Sequence, residues 1–276
     1  MSIFIILIAI FLEHKKLLNN LRNWFNDKLI AYAKLFTRNP VSNQREIRLV
    51  YLFACLPAVL ILFIVWALFY RFHIIGFIIN FIIFILTVEI LTWKENSKNS
   101  EEAYQLFIVT YATRFFATLF WFMVLPSGIG AICYLIILAI SAEFKKQALD
   151  LVVYNVTVDK MLFYASVIPY LILCLFIAVA GDFEEVMHFV IAQRKGFNKS
   201  FYYLENMLNE AILIAIGKTK FQQSIKYENI DNTESGLVSG ANISPQIRQY
   251  IVAILYRAGL FFIGILFIII FASMVS

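Results

Sequence analysis

The feature that most constrains this chain is a series of long apolar runs that are almost free of charged residues. A helix needs about 20 apolar residues to cross the hydrocarbon core of a bilayer. Four runs reach that length, at residues 50–70, 74–93, 161–180 and 251–273. The runs are continuous and do not alternate with polar residues. They therefore predict membrane-spanning helices and not the strands of a closed barrel.

The composition leads to the same fold class. Hydrophobic residues make up 62% of the 276 residues and charged residues 15%. Soluble domains are about half apolar and about a quarter charged. A soluble fold of this length has no room for the excess, so apolar side chains must face lipid. We therefore predict an all-α, polytopic helical membrane protein whose main partner is the lipid bilayer.

A fifth apolar region, residues 115–142, is interrupted by Pro126, Gly128 and Gly130. Proline and glycine both break helices, so this region forms either one kinked span or two half-helices. A single kinked span gives about five transmembrane helices and a topology that closes, whereas a re-entrant region changes the count. The first apolar run, residues 2–12, is too short to span comfortably. We expect it to lie at the interface or to insert partway.

Lysine and arginine predict the orientation, because cytoplasmic segments are enriched in them. Residues 13–48 hold eight basic residues and residues 181–250 hold seven, so both segments are predicted to be cytoplasmic. The connection 94–114 is then also cytoplasmic, and the connection 143–160 lies outside. These flanks account for the net charge of +5, so no nucleic-acid partner is predicted. The chain comprises a short apolar run with an amphipathic helix (1–48), membrane helices (49–180), a cytoplasmic helical loop (181–250) and a C-terminal span (251–276).

Two polar parts of the chain carry an apolar stripe at helical spacing. The first stripe consists of Leu17, Leu21, Trp24, Phe25, Leu29, Tyr32 and Phe36. Because Arg22 and Lys34 fall mostly on other faces, the pattern predicts an amphipathic interfacial helix, with packing against another protein helix as the alternative. The second stripe, which ends at Gly217, consists of Phe201, Leu204, Met207, Leu208, Ala211, Ile212 and Ala215. Residues 227–242 are predicted to be flexible.

The sequence contains no motif that predicts a cofactor, a metal site or nucleophilic catalysis. Its cysteines, Cys55, Cys133 and Cys174, lie singly inside apolar runs. The tripeptide at Gly217 resembles the end of a phosphate-binding loop, but Ile212 stands where that motif needs glycine. Glu89 lies inside a predicted span, where a carboxylate is a functional hypothesis by default. Pairing between Glu89 and Arg257 is geometrically possible in the predicted topology.

Several short motifs, taken in order, resemble a known family. The first apolar run ends in Leu12-Glu13, and Gly181-Asp182-Phe183 follows the run 161–180. The central segment contains Arg114, Phe115, Leu119, Phe120, Trp121, Gly128, Gly130 and Tyr134. In this order of features the chain resembles the AmpE family of bacterial inner-membrane proteins, which is more distantly related to the CobD/CbiB cobinamide-phosphate synthases. One departure is that only Lys160 matches a family pattern of the form Asp-Trp-x-Pro-x-Arg.

The resemblance implies a regulatory role in a bacterial inner membrane. We expect a modulator linked to cell-wall recycling and β-lactamase induction, with a protein partner from cell-wall recycling. The competing expectation is a membrane-bound, ATP- and Mg²⁺-dependent synthase that forms amides. Such an enzyme needs its reactive groups close together, and the candidates are Arg114, Lys160, Asp182 and Glu184. The further family-motif positions are Glu13, Trp121, Gly181 and Phe183.

Overall fold

The structure is a computed structural model, which describes residues 19–38, 44–69, 73–88, 101–125, 128–147, 152–193, 200–217 and 245–275. Every regular element within these ranges is helical, which confirms the all-α fold. Four predictions fall outside the described residues: those on the run 2–12, Glu13, Glu89 and residues 227–242.

Ten α-helices and one π-helical segment make up the described ranges. They are α1 (Asn19–Thr37), α2 (Gln44–Phe69), α3 (His73–Thr87), α4 (Glu101–Thr110), the π-helical segment (Tyr111–Ala117), α5 (Thr118–Val124), α6 (Ile129–Gln147), α7 (Val152–Ala180), α8 (Phe183–Gln193), α9 (Phe201–Ile216) and α10 (Pro245–Val275).

Three helical stretches are long and apolar enough to cross a membrane: Gln44–Ile64, Tyr104–Val124 and Val156–Ala180. Two shorter apolar helices cover Ile78–Thr87 and Gln249–Ile265. Four of these five overlap the predicted runs 50–70, 74–93, 161–180 and 251–273. The stretch Tyr104–Val124 does not match a predicted run, because it contains Arg114 near its centre.

The segment around Arg114 differs from the sequence-based prediction. Residues 94–114 were expected to form a polar connection, but the chain is helical from Glu101 to Val124. The helix continues through Arg114. The charged side chain of this residue has a polar partner there, because its Nη1 donates a hydrogen bond of 3.0 Å to Asn26 Oδ1. The neighbouring broken region forms two helices, since α5 ends at Val124 and α6 begins at Ile129.

Helix α7 begins earlier than the run at 161–180 predicted. Its first turns contain Thr157, Asp159 and Lys160, which were placed in a connection between spans. Thr157 is buried, and Asp159 Oδ1 lies 3.0 Å from Lys145 Nζ of α6. The ion pair with Lys145 stabilises the Asp159 carboxylate within α7. The polar residues therefore belong to the helix and do not form a connection before it.

The chain divides into two compact units. Unit 1 comprises Met1–Ile90, Thr113–Val167 and Lys199–Phe201. Helix α6 is its centre and packs against α1, α2, α3 and α5. The core cluster of unit 1 draws side chains from α1, α2, α6 and α7: Ala33, Ile47, Tyr51, Ala54, Ile136, Ile140, Phe144 and Val158. The predicted helix at the N-terminus is therefore present as α1, and it packs against other helices of the protein.

Two glycines let α5 and α6 approach each other within unit 1. Gly128 adopts a left-handed conformation with φ of 68°, and it starts the turn into α6. A Cβ atom on Gly128 would lie 2.6 Å from Ile83 Cγ2. A Cβ atom on Gly130 would lie 2.3 Å from the carbonyl oxygen of Trp121. The close turn between α5 and α6 therefore depends on the absence of side chains at both positions.

Unit 2 comprises Leu91–Ala112, Ile168–Asn198 and Tyr202–Ser276. Tyr111 donates a hydrogen bond of 2.8 Å to the carbonyl oxygen of Leu255 in α10, and Phe176 packs against Phe262 with ring centroids 5.7 Å apart. Helix α9 confirms the predicted stripe, because its residues are buried: Leu204, Met207, Leu208, Ala211 and Ile212. It ends at Gly217, whose φ of 90° suits a helix C-terminus.

The described helices expose apolar side chains and bury several polar ones. Leu52, Phe53 and Ile61 of α2 are more than half exposed, as are Leu260 and Ile268 of α10. The following polar residues are buried: Arg22, Thr113, Thr118, Ser141, Glu143, Thr157 and Ser166. A soluble protein places these classes the other way round, because a contiguous apolar surface in water promotes association. Apolar helical surfaces of this kind are compatible with a membrane setting.

We expect Gly130→Ala to destabilise the protein, because its methyl group would press on the Trp121 carbonyl. Overpacking of this kind typically costs about 1–3 kcal/mol. Gly264→Ala is the matched control, since nothing lies within 4 Å of a Cβ atom at that helical position. Helix propensity alone favours alanine there by up to about 1 kcal/mol. The measurement is thermal unfolding of both variants in detergent. Equal melting temperatures for the two would contradict the close approach of α5 and α6.

Candidate functional site

Arg114 is a charged residue at the middle of an apolar helical stretch. It lies in the π-helical segment, and such segments are frequent at functional sites. Its side chain is half-buried, and its Nη1 donates to Asn26 Oδ1. Within the described ranges it makes no ion pair. If this stretch crosses a membrane, an arginine at its centre costs about 3 kcal/mol on insertion scales, so its placement there requires a stabilising interaction.

Arg22 and Asn26 of α1 lie on the same side of the helix, one turn apart. Arg22 is 5% exposed, and its Nε donates a hydrogen bond of 2.9 Å to the carbonyl oxygen of Ile85. Asn26 faces the guanidinium of Arg114, which fixes its amide orientation because arginine only donates. We call Arg22, Asn26 and Arg114 the arginine cluster. It brings two cationic side chains to one region of unit 1.

The predicted face of α1 is only partly correct. Arg22 was expected on a polar face, but it is buried, whereas Trp24 between it and Asn26 is 57% exposed. Leu29, Tyr32 and Phe36 of the predicted stripe pack on the core cluster of unit 1. Tyr32 also donates a hydrogen bond of 2.8 Å to the carbonyl oxygen of Ala54, and burial raises the pKa of this phenol.

Two more residues of the central segment hold α7 in place. The Nε1 of Trp121 donates a hydrogen bond of 2.9 Å to the carbonyl oxygen of Ala165. The hydroxyl of Tyr134 lies 3.0 Å from the hydroxyl of Ser166, the next residue of α7. Arg114 is near enough to act electrostatically on Tyr134. The arginine cluster therefore adjoins a hydrogen-bonded seam between α5, α6 and α7.

A second polar region lies at the end of α6. Tyr51 of α2 and Ser141 of α6 share a hydrogen bond of 2.7 Å between their hydroxyls. Glu143 is buried and receives a hydrogen bond of 2.8 Å from Lys146. Lys145 pairs with Asp159, as described above. Lysines in the last turn of a helix also favour its negative end, so a structural role is sufficient for this region.

The acidic candidates lie at the start of α8 in unit 2. Asp182 Oδ1 accepts a hydrogen bond of 3.2 Å from the backbone N–H of Glu185, so Asp182 caps the helix. Glu184 and Phe183 are exposed in the first turn. Gly181 is a packing position, because a Cβ atom there would lie 2.6 Å from the Cβ of Ala215. These residues of the predicted Gly-Asp-Phe motif thus form the joint between α7, α8 and α9.

The C-terminal end of α8 is also fixed by a side chain. The hydroxyl of Tyr203 lies 2.8 Å from both the carbonyl oxygen and the side-chain oxygen of Gln193. Partial burial raises the pKa of Tyr203 above its ordinary value. Helix α8 is therefore held by Asp182 at its beginning and by Tyr203 at its end.

The structure brings few of the predicted site residues together. Arg114 and Lys160 both belong to unit 1, where Arg114 bonds to Asn26 and Lys160 is exposed on α7. Asp182 and Glu184 belong to unit 2. Arg22 and Asn26 were not among the predicted site residues. They are four residues apart, and Leu29 and Ala33 continue the same helical spacing. This spacing indicates that the four residues share one face of α1.

Two cysteines that lie far apart in the sequence meet in unit 1. Cys55 of α2 and Cys133 of α6 are neighbours, because Cys55 Sγ donates a hydrogen bond of 3.9 Å to the carbonyl oxygen of Cys133. Both are free thiols and both are half-buried. Their proximity results from the packing of α2 on α6, and the spacing of the cysteines in the sequence does not indicate it.

Comparisons with known proteins leave the arrangement to be interpreted from its own residues. No family model matches the chain, and no curated protein or solved structure matches it. Within the described ranges, no three His, Cys, Asp or Glu side chains are placed to hold a metal ion. The chemistry that the described arrangement offers is hydrogen-bond donation and positive charge in a setting of low polarity.

We expect a mild thiol oxidant to link Cys55 and Cys133 within one molecule. Two thiols lose two protons and two electrons to the added oxidant, and the bond needs the close approach described above. The measurement is intact mass after alkylation of the remaining thiols, which distinguishes one blocked cysteine from three. Cys55→Ser and Cys133→Ser must each abolish the link. A link that instead involves Cys174, or none at all, would contradict the packing of α2 on α6.

Proposed function

We propose that the protein is a multi-pass membrane protein of a bacterial inner membrane and acts there as a non-catalytic modulator of the AmpE kind. Its role would lie in cell-wall recycling and β-lactamase induction, through contact with a protein of that process. The observation that supports the location is the burial of polar side chains beneath exposed apolar ones. The role itself is carried over from the sequence resemblance.

The positions of the family-motif residues support a role without catalysis. Arg114, Trp121 and Tyr134 each make a hydrogen bond within unit 1, and Gly130 and Gly181 are packing positions. Asp182 caps a helix. Packing and capping are sufficient reasons for these residues to occur, so the motifs do not require that the protein catalyses a reaction. A modulator needs such a stable scaffold more than it needs reactive groups.

The proposed membrane location predicts that the protein stays in the membrane pellet after extraction with alkaline carbonate. Peripheral proteins are released by this treatment, whereas helices embedded in hydrocarbon are not. A tagged soluble protein and a known integral protein from the same cells serve as controls. Release of the protein into the supernatant would refute the multi-pass assignment.

The proposed role predicts that deletion of the gene changes β-lactamase induction by a β-lactam. A plasmid copy should restore induction, and a copy carrying Gly130→Ala tests whether the folded protein is required. Induction that is identical in the deletion strain and the parent would refute the modulator role, while membrane location would be unaffected by that result.

The second candidate is an ATP- and Mg²⁺-dependent synthase that forms amides. Its supporting observation is the group of exposed carboxylates at the start of α8, Asp182, Glu184 and Glu185. Carboxylates of this kind bind Mg²⁺ together with substrate phosphates. The capping hydrogen bond of Asp182 favours a structural role instead.

Nucleotide binding distinguishes the two candidates. We expect no saturable ATP binding by the purified protein, with or without Mg²⁺. Asp182→Ala should lower stability by about 1 kcal/mol through loss of the cap, whereas Asp182→Asn should retain it, since asparagine caps equally well. The measurements are calorimetric titration and thermal unfolding. Saturable binding that both variants abolish would favour the synthase over the modulator.

A further inference from the structure

The arginine cluster has the features of a site for an anion. Arg114 directs a guanidinium toward Asn26, which is a neutral acceptor. Among the residues that the structure describes, no carboxylate pairs with Arg114. One hydrogen bond uses one of the five N–H donors of a guanidinium, so most of its donors stay available.

Asn26 adds a donor next to this guanidinium. Its Oδ1 accepts from Arg114, so its Nδ2 points away from that bond. In the described part of the chain, Nδ2 donates to no other residue. Arg22 lies one turn earlier on the same side of α1 and adds positive potential from a buried position. A guanidinium and an amide from two parts of unit 1 thus lie side by side, with a second arginine one turn away, and charge-assisted hydrogen bonds are strong where polarity is low.

From this juxtaposition of Arg114, Asn26 and Arg22 we infer that the cluster binds a phosphate group. A phosphate offers several oxygens in a tetrahedral arrangement, which suits donors that approach from separate helices, and arginine binds it with paired hydrogen bonds. Two sources can supply this chemistry: the headgroup of an anionic phospholipid or a phosphate-bearing solute.

Two features bear on the source. Arg114 lies at the middle of the apolar stretch Tyr104–Val124, away from the headgroup level, whereas α1 presents residues suited to headgroups. Trp24 and Leu21 are exposed beside the cluster, and tryptophan is enriched at the level of lipid headgroups. Helix α1 also exposes Lys28, as expected for a helix that meets anionic lipid. Binding of phosphate at this place is independent of the signalling role proposed above.

The test compares ligands on the purified, delipidated full-length protein. Native mass spectrometry measures binding of phosphatidylglycerol, with diacylglycerol as the lipid that lacks phosphate. Calorimetric titration measures binding of inorganic phosphate, with acetate as the planar anion. If the protein prefers phosphatidylglycerol over diacylglycerol and does not bind inorganic phosphate, the headgroup is the source. Binding of inorganic phosphate in preference to acetate identifies a solute. Binding of neither phosphate ligand, or equal binding of acetate and phosphate, overturns the proposal.

Three variants locate the binding site. Arg114→Gln removes the charge, and we expect affinity for the phosphate ligand to fall about tenfold or more, since a charge-assisted hydrogen bond contributes that much. Asn26→Asp keeps the shape of the side chain but gives Arg114 a carboxylate partner. We expect the same loss of affinity from this second variant while thermal stability is maintained or raised. Lys34→Gln is the matched control, because it removes one exposed positive charge from the same helix.

The pattern across the variants decides the outcome. The site is supported if Asn26→Asp loses affinity for the phosphate ligand at undiminished thermal stability and Lys34→Gln binds it within about twofold of wild type. Twofold is well below the effect of one such hydrogen bond. If Asn26→Asp is stable and binds as wild type, the cluster is not the site. If Lys34→Gln loses as much affinity as Asn26→Asp, general surface charge accounts for binding, and the proposal is likewise overturned.

Discussion

Hydrocarbon offers no hydrogen-bond partners, so in the proposed membrane setting every polar side chain among the helices needs a partner from the protein itself. Several side chains of the described residues meet this requirement in the same way. Arg22, Tyr32, Tyr111 and Trp121 each donate to a backbone carbonyl of another helix. A helical carbonyl has a second lone pair for such a donor, and the Ala165 carbonyl has no donor within its own helix because Pro169, four residues later, lacks an N–H. Neighbouring helices are therefore tied together without the loss of any backbone hydrogen bond.

This requirement explains which parts of the fold were predictable from the sequence. Long apolar runs and the stripe from Phe201 to Ile212 predict helices directly, because periodicity and length suffice. The helix through Arg114 was not predictable in the same way. Its charge is accommodated by Asn26, about ninety residues earlier, and single-residue patterns do not reveal such a distant partner. The start of α7 was missed for the same reason, since Asp159 is held by Lys145 of another helix.

The candidate site was predictable to a smaller extent than the fold. Arg114, Trp121 and the two glycines of the α5–α6 turn were selected from a resemblance, and each has a defined contact. Asn26 and Arg22 were not selected, because a polar residue on an amphipathic helix ordinarily faces water. In α1 the exposed surface is apolar at Trp24, so the usual assignment of faces is partly reversed. Proximity of Cys55 to Cys133 likewise follows only from the packing of α2 on α6.

The packing of α1 against α6 also bears on the order in which unit 1 is assembled during synthesis. Roughly ninety residues separate the end of α1 from the start of α6, and ribosomes add about 5–20 residues per second. Helix α1 therefore leaves the ribosome several seconds before its main packing partner. During that interval Arg22 and Asn26 can already meet their partners, the Ile85 carbonyl and Arg114, because both precede α6 in the chain. Stable docking of α1 must follow the arrival of α6, so an early helix of this chain is one of the last to reach its final contacts.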